Sequence, residues 1–149
     1  MNPYFVFSDE SGNYEQIRDA KFHCRDPFYV RSTIIISLED YIALQKGITS
    51  IKDKFDLPPQ TEVNWSHYGS AIKNNYKKIP HTLTPLQLED YYRQCLALLD
   101  SLDSVSIYYT FTENKSVGRI DKLKLIKMHL QNAYQRVQAV MSSKDGYAI

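Results

Sequence analysis

Phe28-Tyr29-Val30-Arg31-Ser32-Thr33-Ile34-Ile35-Ile36-Ser37 constrains the fold of this chain more than any other stretch. It is β-branched and aromatic almost throughout, which specifies a strand. Arg31 is its only charge. Ile34 to Ile36 runs without alternation, a pattern that belongs to a strand covered on both faces. Directly afterwards Tyr41, Leu44, Ile48, Ile51 and Phe55 fall on one face of a helix from about Leu38 to Phe55, which Pro58-Pro59 forbids to continue.

The remaining elements place themselves around this pair. Tyr4-Phe5-Val6-Phe7 is a short apolar run, so residues 4 to 10 read as a strand, and Ser11-Gly12-Asn13 breaks it. Thr84-Pro85-Leu86-Gln87 is a helix start: Thr caps, Pro suits the first turn and Gln completes a capping box. Leu88, Tyr91, Tyr92, Cys95, Leu98, Leu99 and Leu102 form its apolar face. Residues 105–112 alternate as a third strand. A last helix is expected from about Arg119 to Met141, with Leu123, Ile126, Leu130, Ala133, Val137 and Val140 inward. Gly146-Tyr147-Ala148-Ile149 reads as the start of another strand, so the chain is expected to lack the segment that would complete the sheet. Residues 14–27 read as a polar loop, with or without a short strand near Lys21–Cys24. Residues 56–83 are long and weakly periodic, where a functional loop would lie.

This order specifies an α/β protein with a mixed sheet flanked by helices. At 149 residues a single domain is expected. The net charge of +1 neither favours nor disfavours nucleic acid; binding would need a local basic patch. Cys24 and Cys95 have no metal-ligand spacing and read as reduced thiols of a cytoplasmic protein. No apolar stretch approaches the length of a membrane span, so no membrane partner is expected.

Chemistry concentrates at Asp9-Glu10, immediately after the first apolar run. A carboxylate cannot be left inside a covered strand unpaired, because its desolvation is prohibitive. These acids therefore sit at the strand's rim or are held by a cation. The same residues also suit an ordinary solvated turn. Glu62, in Glu62-Val63-Asn64-Trp65-Ser66, is a further carboxylate. Carboxylates converging on one point suit Mg2+ or Mn2+, which would activate a water and neutralise charge on a phosphodiester.

The opening Phe5-Val6-Phe7-Ser8-Asp9-Glu10-Ser11-Gly12 resembles the N-terminal signature of the DUF3800 family. The resemblance continues through the second strand, the helix after it and residues 62–66. It implies an RNase H-like fold and a metal-dependent nuclease of mostly bacterial occurrence. By that resemblance Asp9 and Glu62 are catalytic, and Asp9, Glu62 and Glu10 hold the metal. The family carries further acids on and beyond the strand that begins here at Tyr147. A 149-residue chain without them is expected to be nearly inactive, and a longer one active. Glu10 is expected on the strand face opposite Asp9, because neighbouring residues alternate.

Nucleic acid is the expected partner. Lys115, Lys122, His129 and Arg136 recur every seven residues and could track a phosphate backbone; a solvated helix face gives the same pattern. Trp65 could stack on a base or anchor a core. His23, His67 and His81 have no ligand spacing. Two functions follow from these readings: a Mg2+- or Mn2+-dependent phosphodiesterase, or a non-catalytic RNase H-like module binding nucleic acid or protein.

Overall fold

The computed structural model describes residues 2–12, 28–73, 82–113 and 122–149. The expected loop at 14–27, with its possible short strand, lies outside them. The element order is β1 (Asn2–Ser11), β2 (Phe28–Ser37), α1 (Leu38–Lys54), α2 (Trp65–Ile72), α3 (Pro85–Asp100), β3 (Ser106–Glu113), α4 (Lys122–Lys144) and β4 (Gly146–Ala148). It is a mixed α/β chain, and it divides into two compact units. Residues Met1–Leu38 and Ser104–Ile149 make one, Glu39–Asp103 the other.

The first unit is a four-stranded sheet in the order β3-β2-β1-β4. β1 pairs antiparallel with β2, β2 antiparallel with β3, and β4 runs parallel to β1. The expected strand at the end of the chain is therefore present, though short. Ile149 extends it, donating its N–H to Tyr4 O at 2.8 Å. Tyr4, Ile35, Val140 and Met141 form the core beneath α4, with Val6, Tyr108 and Val137 packed on them. Neighbouring strand residues project to opposite faces. Ile35 and Ile36 are nonetheless both 0% exposed, so this end of β2 is covered on each side, as its unbroken apolar run requires. The main chain leaves β2 at Ser37, and the first unit resumes at Ser104, two residues before β3. Ser37 N–H donates to Ser104 Oγ at 2.9 Å, and the two hydroxyls lie 3.0 Å apart.

The second unit packs α1, α2 and α3 around Ile51, Leu57, Ala71, Leu83, Leu88 and Tyr91. α3 begins at the expected capping box: Thr84 Oγ1 accepts from Gln87 N–H, and Gln87 Oε1 accepts from Thr84 N–H at 2.9 Å. Gly47 lets α1 approach α3. A Cβ there would lie 2.5 Å from a Leu98 methyl. α2 interrupts what the sequence presents as one long loop. Its start is Asn64, whose side chain accepts from Ser66 N–H at 2.9 Å while its own N–H donates to His67 Nδ1 at 3.1 Å.

α4 requires a correction. Its buried residues are Leu125, His129, Ala133, Val140 and Met141, whereas Leu123 and Leu130, expected inward, are 73% and 47% exposed. The buried row follows an i, i+4 ridge, which is inclined to the helix axis, rather than the straight apolar stripe. No helix among the described residues is long and apolar enough to cross a membrane.

Candidate functional site

Alternation along the strands sorts the polar residues of the first unit. Ser8 and Glu10 of β1 share one face of the sheet with Tyr29, Arg31 and Thr33 of β2, and with Thr110 and Thr112 of β3. The pairings Glu10 with Arg31, Arg31 with Thr110, and Tyr29 with Thr112 bring them together across three strands. This is the face that α4 covers.

Arg31 is the centre of the group and is 8% exposed. Its Nη2 donates to Glu10 Oε2 and its Nη1 to Ser8 Oγ at 3.2 Å. Tyr29 Oη accepts from Arg31 Nη2 at 3.4 Å and donates to Glu10 Oε2 at 3.2 Å. Arg31 Nε is buried with no hydrogen-bond partner among the described residues. Burial pushes the Tyr29 phenol up from its ordinary value, outweighing the nearby guanidinium. The pair is asymmetric in its access to water: the side chain of Arg31 is 9% exposed and that of Glu10 39%.

His129 comes down from α4 into the same layer. Its Nδ1 lies 2.6 Å from Thr110 Oγ1 and its Nε2 2.8 Å from Thr112 Oγ1. Hydroxyls both donate and accept, so a neutral ring is satisfied at both nitrogens. The Tyr29 ring meets the imidazole edge-on at 4.7 Å. Burial first, and the positive charge of Arg31 second, hold the His129 pKa below its ordinary value.

Glu10 is on the face opposite Asp9, as alternation requires, and its carboxylate is held by Arg31 and Tyr29. Asp9 is exposed near the end of β1, opposite Ser32 in register. Glu62 is exposed in the second unit, ahead of α2. Two carboxylates on opposite faces of one strand do not suit a single ion, so Asp9 and Glu10 do not fit a shared metal. Among the described residues no three His, Cys, Asp or Glu side chains gather into a metal-donor group. His129 is 3% exposed and is a packed, hydrogen-bonded residue, not part of a surface track. Arg136 is exposed. Lys115, Arg119 and the side chain of Lys122 lie outside the described residues, as do His23 and His81.

Trp65 is not a core anchor. It opens α2 and is 67% exposed. Its ring stacks on Tyr68 at 5.5 Å and leans on Tyr92 at 4.9 Å. Tyr92 Oη donates to Asn64 O at 2.6 Å, tying this aromatic group to the helix cap.

Sequence reasoning missed Tyr29, Arg31, Thr110 and Thr112. A single cation in an otherwise apolar strand was the available signal, since a buried guanidinium demands a counter-ion. No protein-family model matches the chain, and neither a curated protein nor a solved structure matches it.

Proposed function

We propose that this chain is an RNase H-like module of the DUF3800 type that binds nucleic acid, with Trp65 as a stacking residue. The exposure of Trp65 carries the reading: a large aromatic ring, backed by two tyrosines, faces solvent at the start of a capped helix. Base–aromatic stacking is tolerant of sequence and is worth about 1–3 kcal/mol per base on truncation. The mixed sheet supports the fold that the resemblance implies.

Trp65 is the single tryptophan of the chain, so its fluorescence reports directly on this contact. Single-stranded RNA or DNA is expected to quench it. Trp65→Ala is expected to weaken binding by about 5–150-fold, the range that stacking energies give. Titrations that leave the fluorescence unchanged, with Trp65→Ala binding as the parent does, would remove the reading.

A second reading, a Mg2+- or Mn2+-dependent phosphodiesterase, draws on Asp9, which stands exposed near the end of β1. Its test is cleavage of labelled RNA and DNA with either metal and with EDTA. Cutting that Asp9→Asn abolishes supports it; cutting that Asp9→Asn leaves intact removes Asp9 from the chemistry.

A further inference from the structure

Asp9-Glu10 has the look of a metal-binding doublet in sequence, and the structure separates its two members. We infer that Glu10 is the fixed counter-ion of the buried Arg31 and is closed to metal.

Arg31 sits in the middle of β2 under α4, almost without solvent, and a guanidinium there must be compensated. Glu10 supplies the negative charge from the neighbouring strand, directly across in register. Tyr29 and Ser8 then fix the geometry, Tyr29 by bonding both members of the pair and Ser8 by accepting from Nη1. A divalent cation at Glu10 Oε2 would face the guanidinium at close range. It would also strip Arg31 of its counter-ion, leaving a buried charge unpaired. Asp9, one residue away, cannot help, because it projects from the other side of the sheet. Glu10 instead joins the exposed end of β1 to β2 and holds Tyr29, whose ring meets that of His129 nearly perpendicularly. This assignment stands apart from the binding role proposed for Trp65 and sets a boundary on the phosphodiesterase reading.

Thermal unfolding of the whole chain, with and without millimolar Mn2+, tests it through four variants. Glu10→Gln is expected to lower Tm by about 5–15 °C, because it strands Arg31. Adding Arg31→Met to that change removes the stranded charge, and the double variant is expected to regain at least half of the loss. Asp9→Asn is expected to leave Tm within about 2 °C of the parent, as surface changes do. Arg31→Met alone is expected to cost less than Glu10→Gln, because the carboxylate it leaves behind is 39% exposed and reaches water. Mn2+ is expected to shift the parent and the double variant equally. A Glu10→Gln protein as stable as the parent would overturn the inference. So would a Mn2+ shift present in the parent and lost in the double variant. If Glu10→Gln does not fold, the double variant decides: recovery supports the counter-ion role, and failure to recover overturns it.

Discussion

At the scale of single residues, His129 has the most direct experimental handle. It is 3% exposed and satisfied as a neutral ring, with Arg31 nearby. Its pKa is lower in the folded protein than in the unfolded chain. Above the unfolded value of about 6.5 both states hold it neutral and it makes no pH-dependent difference. Below that value the unfolded state takes up the proton first, so stability falls with pH until the folded value is reached. The slope from this group is at most about 1.4 kcal/mol per pH unit. Urea midpoints measured from pH 8 to pH 5 are expected to fall more steeply for the parent than for His129→Gln. Parallel curves would show that the imidazole does not titrate in this window. Gly12 is the second residue whose substitution has a defined outcome. Its φ is +92°, and a Cβ there would come within 2.1 Å of Phe28 O. Gly12→Ala is expected to cost about 1–3 kcal/mol of stability, measured by chemical unfolding, because neither the backbone conformation nor the space admits a methyl.

Among the elements, those set by local chemistry were the most legible. The α3 start was written in Thr84, Pro85 and Gln87, and the structure forms that capping box. Thr84→Ala should therefore cost about 1 kcal/mol in the same unfolding measurement, and Thr84→Ser much less. β3 alternates in exposure along its length as its sequence does. β2 is covered on both faces where its apolar run is unbroken. The failures came where tertiary chemistry overrules pattern. α4 shows an apolar stripe that includes Leu123 and Leu130, yet it buries His129, because two threonine hydroxyls on β3 satisfy the ring. Nothing local to α4 announces that. α2 was hidden because eight residues carry too little periodicity to be seen, although Asn64 and His67 were its signature. At the candidate site, the opposed faces of Asp9 and Glu10 followed from alternation alone. The role of Glu10 did not, since it depends on Arg31, twenty-one residues away in sequence and on another strand.

The whole molecule is a sheet unit with a helical unit spliced into one of its connections. Residues Glu39–Asp103 depart from and return to the first unit between β2 and β3. Each unit has its own buried core, Tyr4, Ile35, Val140 and Met141 in one, and Ile51, Leu57, Ala71, Leu83, Leu88 and Tyr91 in the other. Ser37 and Ser104, hydrogen-bonded to each other through the Ser37 N–H and both hydroxyls, need only a short bridge. Replacing residues 39–103 by a flexible link of about three residues, in the range of ordinary connections, is expected to leave a protein that folds cooperatively. Circular dichroism and a single unfolding transition would establish it. A chain that stays unstructured would show that the sheet unit depends on the helical one.

The two serine hydroxyls that face each other at that junction have an evolutionary reading. A pair of chain ends held side by side on a sheet rim is where one gene segment can be set into another without disturbing the host, since the host's strands already end and begin there. A different insert with ends equally close together is expected to be accepted between Ser37 and Ser104, with the buried ion pair of the sheet left as it is.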